Sequence, residues 1–328
     1  MPTPAATVTV VIVNFNGGDH VLRCLRCLAS QTWLPQRIIV IDNASSDRSL
    51  AACRQLIGTD ERLATRTSIE ESAANLGFAA AANRGIALAD TDLVALLNPD
   101  AFPEPHWLEA LLAAAVAHSD VAAFGSRQML AEHEGVLDGI GDRWHLSGLA
   151  WREGHGRPLE PADLKPREIF SPCAAAALYR RAAVLEVGKF DEDYFCYGED
   201  VDLGFRLRLA GHRARSVPAA IVAHVGGASG SSEAATFLGH RNLLWTVIKD
   251  TPGPLLPVAL IGHLAQSILT GVFLGWRGRG GAFASGKMAA LAGWKRCWQK
   301  RRVVQAGRKV STWQIWRMID IAPWRRGR

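Results

Sequence analysis

The first apolar stretch, Val8 to Val13, is an unbroken run of β-branched residues. It lacks alternating polar positions, so it predicts a strand buried on both faces, as in a parallel sheet. Asn14-Phe15-Asn16-Gly17-Gly18-Asp19 breaks the run, and a helix follows from Val21 to Ser30. Arg37 to Ile41 predicts a second buried strand. It closes on Asp42-Asn43 and then on Ala44-Ser45-Ser46-Asp47, a loop and helix-cap signal. Thr65 to Ile69 predicts a weaker third strand, Asn75 to Ala89 an alanine-rich helix, and Asp92 to Leu97 the next strand. This β-α-β-α alternation predicts an α/β fold, a Rossmann-like, mostly parallel, doubly wound sheet flanked by helices.

Further along, Pro103-Glu104-Pro105 opens a helix whose apolar face is Trp107, Leu108, Leu111, Leu112 and Ala115. Strands are predicted at Val121 to Phe124 and Ala174 to Tyr179, with a short helix from Arg180 to Val187. A helix from Val201 to Ala210 ends at Gly211. A last strand, Ala219 to Ala223, delivers His224 at its end. Residues 131–170 are rich in Gly, His, Pro and charge and show no period. Long irregular stretches of this kind form functional loops. Residues 255–274 are the longest apolar stretch, and their His263, Gln266, Ser267 and Thr270 share one helix face. A membrane span needs about 20 apolar residues. The stretch therefore predicts helices lying in a membrane interface, or packed on the α/β domain, rather than a span.

The 328 residues, 48% hydrophobic and 21% charged, suffice for one large domain with an appendage. We expect an α/β domain over 1–230 and a helical region over 231–328. Met1 to Thr7 lacks a basic region and Val8 to Val13 is too short for a signal core, so no signal peptide is expected. The six cysteines fit reduced thiols. Cys24 and Cys27 form a CxxC pair without a second pair to complete a zinc site, and they read as structural thiols. The net charge of +6 hides an asymmetry: residues 276–328 carry a net +13, the rest a net −7. Trp276, Trp294, Trp298, Trp313, Trp316 and Trp324 also lie in that tail. Basic residues mixed with tryptophan suit an anionic membrane surface. Nucleic acid and a plain solvated face are the lesser alternatives.

Two acidic signatures point to chemistry. Asn98-Pro99-Asp100 ends the apolar run Leu93 to Leu97, where open α/β sheets bind ligands. Gly198-Glu199-Asp200 opens the later helix. Departure of a diphosphate needs charge neutralisation, and Mg²⁺ or Mn²⁺ favours one or two carboxylates with phosphate oxygens and water. Asp100 is the first-choice metal ligand and His224 a second candidate, although a histidine at a strand end is more often simply hydrogen-bonded in place. Asp200, with Glu199 second, is the candidate base for an acceptor hydroxyl. Their structural alternative, together with Asp202, is complementing the helix dipole. Asp42 is placed to accept from a base or ribose. Phe15 is a base-packing or core residue. Asn75, Gly77 and Asn83 are nucleotide-contact residues or, in the plainer reading, helix-capping and packing residues.

These residues, in order, resemble glycosyltransferase family 2 with the GT-A fold. The likeness runs through Val10 to Asn16, Ile41 to Asp47, Asn75 to Ala79, Leu97 to Asp100, Gly188 to Glu192, Tyr197 to Leu203 and His224. It implies a nucleotide-sugar donor held around Asn14, Phe15, Asp42, Asn75, Gly77, Asn83, Asn98 and Asp100. It further implies a divalent metal at Asp100 and His224, and an inverting transfer with Asp200 as base. Asn98 stands where the family's Asp-x-Asp motif has its first acid. The Asn-Pro-Asp form resembles the bacterial rhamnosyltransferase-like branch. That branch implies dTDP-rhamnose as donor and a glycan or polyprenyl-diphosphate-linked acceptor in cell-envelope polysaccharide synthesis. The expected location is peripheral, on the cytoplasmic face of the bacterial inner membrane, with no nucleic-acid partner. A sugar-phosphate nucleotidyltransferase is the enzymatic alternative, but no Lys or Arg follows the first strand before Arg23. A non-catalytic carbohydrate- or membrane-binding protein is the other. No GxGxxG follows the first strand, which disfavours an NAD-dependent oxidoreductase.

Overall fold

The computed structural model describes residues 6–226 and 232–321. Trp324, the first five residues and the expected boundary at 230 lie outside them. Strand β1 (Val8–Asn14) is buried along its whole length, between β2 (Arg37–Asp42) and β4 (Leu93–Leu97), both parallel to it. β3 (Thr67–Glu71) extends the parallel set beyond β2. The helices between them are α1 (Gly18–Ala29), α2 (Ser49–Thr59), the single turn α3 (Glu61–Ala64) and α4 (Gly77–Leu88). Side chains of a strand alternate between faces, and here each face has its own cover. Val8, Val10 and Ile12 pack with Val21, Leu25 and Leu28 of α1. Val11 and Val13 pack with Ala79, Ala82 and Ile86 of α4.

The second half departs from a purely parallel sheet. β5 (Ala101–Pro103) precedes α5 (Trp107–Ala117), and β6 (Val121–Leu130) runs far beyond the predicted Phe124. Within the stretch that showed no period lie β7 (Leu137–Gly139), β8 (Asp142–Trp144) and β9 (Ala150–Arg152). β10 (Ala176–Arg180) lies between β4 and β6 and is antiparallel to both. Two reversals restore the direction, so β6 runs with β4. β11 (Arg213–His224) is parallel to β6. The sheet order is β3-β2-β1-β4-β10-β6-β11-β5. Asn14, Asp42, the turn after β4 and His224 therefore share one sheet edge.

Helices α6 (Arg181–Glu186) and α7 (Glu199–Leu209) cross back over the sheet. Beyond β11 come α8 (Glu233–Asp250), α9 (Leu256–Trp276), α10 (Gly280–Ala292), α11 (Trp294–Ala306) and the short α12 (Thr312–Trp316). The interrupted apolar stretch is thus one continuous helix, α9, with Pro257 tolerated in its first turn. These helices share a third core with the α/β part: Phe205 and Leu209 of α7 meet Val247, Ala259, Ile315 and Ile319.

A buried ion cluster fastens the same junction. Lys249 of α8 is 2% exposed and sits 2.6 Å from Asp191, with Asp202 of α7 closer still. Arg206 holds the far oxygen of Asp202 at 2.6 Å. Lys300 and Arg296 of α11 pair with Asp191 and Asp193. Part of the tail's positive charge is therefore spent inside the protein. Asp202, read from sequence as one of an acidic helix-start cluster, belongs to this structural network. Removing one partner of a buried ion cluster leaves the others uncompensated. Lys249→Met is expected to lower the unfolding free energy by about 3–5 kcal/mol in denaturant titration. A loss below about 1 kcal/mol contradicts that role.

Candidate active site at the carboxyl edge of the sheet

The loops after β1 and β2 are laced together. Asn14, 1% exposed, donates through Nδ2 to Asp42 Oδ1 at 2.8 Å and to the hydroxyls of Ser45 and Ser49. Asp42 Oδ2 accepts from the Ser45 N–H at 3.1 Å. Asn16 receives the Ser46 N–H at 2.7 Å. Asp47 accepts the N–H groups of Gly18 and Ser49, both at 3.0 Å, and so closes the cleft-facing turn as well as starting α2. Phe15, by contrast, is 47% exposed beside this rim, so the core alternative does not hold for it.

Asn75, Gly77 and Asn83 are occupied within the protein. Asn43 Nδ2 donates to Asn75 Oδ1 at 2.9 Å, and the same oxygen accepts the Gly77 N–H. Gly77 has φ +79°, and a Cβ there meets Phe195 at 2.5 Å. The close approach this glycine permits is to Phe195. Asn83 is 3% exposed and binds both the N–H and the carbonyl of Phe190. It ties α4 to the 190–195 turn, and this engagement differs from the nucleotide contact expected of it.

The second cluster forms where β4 and β11 end and β10 begins. His224, 5% exposed, has Nε2 3.4 Å from Asp100 Oδ1 and Nδ1 2.8 Å from Asp138 Oδ2. Burial alone depresses the imidazole's pKa, but hydrogen bonds to both carboxylates outweigh it and push the value up to about 9. Asp138 is itself held well below the usual carboxylate range: burial opposes this, and His155, His224 and Arg152 override it. Asp138, Arg152 and His155 come from the segment whose sequence showed no period. One signal was present: in Val136-Leu137-Asp138-Gly139-Ile140 an acid is embedded in apolar residues. Such an acid is buried only with a partner.

The Cys173–Ala175 segment connects both acidic signatures. Its Ala175 carbonyl accepts the Asn98 N–H at 2.8 Å, and its Ala174 N–H donates to Asp200 Oδ2 at 3.2 Å. Asp200 Oδ1 accepts from Val201 N–H at 2.9 Å. Glu199 turns inward, 6% exposed, and its carboxyl is pushed well up by burial and then by the charge of Asp200. The half-buried Asp200 is thus the accessible acid of the two. Asp142 of β8 is likewise pushed well up, by burial and then by Asp200, with Arg152 opposing. Cys24 is buried, and its thiol reaches the Asn98 carbonyl at 3.6 Å, a packing role.

The donor set suits a hard cation at an open site. Two neighbouring ligand atoms of one octahedral ion lie about 3 Å apart, close to the Asp100–His224 spacing of 3.4 Å. Asp138 behind Nδ1 is the outer carboxylate that fixes which imidazole nitrogen faces the ion. Among the described residues no group of three or more His, Cys, Asp or Glu side chains is placed to hold a metal ion. An ion at Asp100 and His224 would depend on substrate oxygens and water for its further ligands.

Comparison with known proteins bears on this edge. The model of Glycosyl transferase family 2 matches residues 9–188. An N-acetylglucosaminyl-diphospho-decaprenol L-rhamnosyltransferase of Mycobacterium tuberculosis is 30% identical over 268 residues, 74% of this chain and 83% of that protein. The crystal structure of GalNAc-T7 with UDP, GalNAc and Mn2+ superposes with a TM-score of 0.61 at 18% identity over 74% of this chain. The chain spans about half of that structure, 48% of its length. A mannosyltransferase from Pyrobaculum calidifontis in complex with GDP-Man and Mn2+ superposes with a TM-score of 0.56 at 16% identity, covering 94% of this chain and 88% of that one. These two likenesses establish the fold, GT-A.

The His224 ladder has a pH signature. Because its folded pKa is raised, its contribution to stability is complete below its ordinary value near 6.5 and is lost as pH rises through about 9. Asp138→Asn is expected to lower the His224 midpoint by about one unit or more in an NMR titration of the metal-free protein. An unmoved midpoint rejects Asp138 as the holder of Nδ1.

Proposed function

The chain belongs to glycosyltransferase family 2, and from that premise we propose an inverting, metal-dependent transfer of rhamnose. The coarser role, glycosyl transfer in cell-envelope synthesis, follows from the family and the mycobacterial relative. The donor proposed is dTDP-rhamnose. The acceptor proposed is a polyprenyl-diphosphate-linked glycan, met on the cytoplasmic face of the inner membrane, with residues 231–328 as the membrane-associating region. The observation that carries the reading is the line Asp100–His224–Asp138 on the same sheet edge as Asp42, with Asp200 tied to it through Cys173–Ala175.

In this mechanism Asp42 and Asn14 form the floor for the nucleoside. The free lone pairs of Asp42 accept from base or ribose, while Phe15 offers an exposed ring beside it. Asn98 presents an amide where a second carboxylate is usual, so Asp100 supplies the local negative charge. Asp100 and His224 would hold Mg²⁺ or Mn²⁺, which neutralises charge on the departing diphosphate. Asp200 takes the proton of the acceptor hydroxyl as that oxygen bonds to the anomeric carbon. The bond from that carbon to the diphosphate oxygen breaks, and the nucleoside diphosphate leaves with the electron pair. Attack opposite the leaving group inverts the configuration. Burial and the charge of Asp200 push the Glu199 carboxyl well up, which disfavours a second negative charge beside Asp200.

Asp200→Asn is expected to retain donor binding while transfer falls by roughly 10²-fold or more. Near-normal turnover removes Asp200 from the role. Asp100→Ala is expected to abolish the metal-dependent part of donor binding; undiminished metal dependence reassigns the ligand. The donor is tested by thermal stabilisation with dTDP-rhamnose against UDP- and GDP-sugars, with and without Mg²⁺ or Mn²⁺. A larger shift with another nucleotide sugar keeps the enzyme class and discards rhamnose.

A further inference from the structure

Helix α9 has two opposed faces. Leu256, Ala259, His263 and Leu274 are buried against the protein. At 3.6 residues per turn, Val258, Ile261, Ile268, Leu269, Val272 and Trp276 point the other way. These six are between 55% and 93% exposed. So large a continuous apolar stripe on a water-facing surface marks an interaction site.

The polar residues that interrupt the stripe in sequence are spent on the inner face. His263 Nδ1 donates to the Ser147 carbonyl at 2.9 Å, and Ser147 Oγ donates to Gln266 Oε1 at 2.8 Å. Lys287 Nζ of α10 donates to His263 Nε2 at 2.7 Å. All these bonds fall near the middle of the helix. Its 21 residues measure about 31 Å, the thickness of a bilayer's hydrocarbon core. Were α9 to cross a bilayer, Ser147 would sit at mid-depth, with the nearby Arg143–Asp320 ion pair. Charge there costs several kcal/mol. With its inner face held by these polar contacts, α9 has only its outer face to offer to lipid, the arrangement of a helix whose axis lies along the interface.

Charge identifies the occupant. Trp276 ends the stripe and Arg277-Gly278-Arg279 follow it; residues 276–328 carry a net +13, of which Arg296, Lys300 and Arg301 are engaged within the protein. Tryptophan and arginine at the border of an apolar stripe match an anionic headgroup layer. We propose that the outward face of α9 is a monotopic docking surface for an anionic bilayer leaflet, with the helix axis in the membrane plane. The β8–β9 hairpin touches α9 at Ser147 and carries Asp142 and Arg152 toward Asp200. One short element thus joins the lipid side to the candidate site. The surface does not depend on the catalytic reading, because binding to vesicles requires neither donor nor transfer.

The test uses the full chain and phosphatidylcholine vesicles containing about one-third phosphatidylglycerol. Ile268→Asp combined with Leu269→Asp is expected to reduce the floated fraction about tenfold or more, with an unchanged circular dichroism spectrum. Full flotation of that well-folded variant overturns the face. Equal binding to pure phosphatidylcholine overturns the anionic partner. A fluorophore placed in turn at Val258, Ala265 and Val272, one outward line along α9, then reads depth by quencher-bearing lipids. Equal, shallow depths are expected. Ala265 at the bilayer centre with its neighbours shallower overturns the in-plane orientation. The labelled chains carry no aspartates, so this reading stands even where the charged variant is disturbed. Loss of sugar transfer with intact flotation counts against the proposed activity alone.

Discussion

A lysine with almost no access to water organises this molecule. Lys249 is buried among Asp191, Asp202 and Asp250. Burying any one of those acids alone is costly, and together they are tolerable only because Lys249, Arg206 and Lys300 face them. The carboxyl of Asp250 is pushed well up, by burial and by the adjoining charge of Asp202. The cluster brings together α7, α8, α11 and the turn that starts at Asp191. α7 begins with Asp200, and the turn ends at Phe195, which Gly77 lets close against α4. The positions of the candidate base and of the Phe195 turn are thus set by electrostatics some distance from either.

The site is organised on the same principle. A charged imidazole between Asp100 and Asp138 makes two neighbouring carboxylates compatible before any cation arrives. Arg152 does the same for Asp138, Asp142 and Asp200. Asp138, Asp142 and Arg152 all come from β7 to β9, so the irregular segment between β6 and β10 completes the electrostatics of the edge. Carboxylates placed this way keep their geometry without substrate, which favours preorganisation over rearrangement.

What the chain disclosed in advance follows a physical divide. Strands buried on both faces announce themselves, and Val8–Asn14, Arg37–Asp42 and Leu93–Leu97 were legible because burial demands an apolar run. The acids ending them were legible because strand ends are where parallel sheets meet ligands. The reversed direction of β10 was not, since Ala176–Arg180 reads the same in either orientation. β7, β8 and β9 are three residues each, too short for any period to show. Asp138 was hidden for that reason, and Asn83 kept two readings, ligand contact or packing, for a related one: an asparagine in a helix looks alike whether it faces a ligand or the neighbouring Phe190 backbone.

The order in which these pieces leave the ribosome adds a consequence. Asp191 and Asp202 are made early, but their partners Lys249 and Lys300 follow some 50 to 110 residues later. Arg143, in β8 of the β8–β9 hairpin, waits for Asp320, which is 177 positions away. Contacts so distant in sequence close late. The nascent α/β part therefore holds Asp191 without its lysine partners until the helical tail has emerged. The two parts finish one buried ion cluster together, so neither reaches its final packing alone.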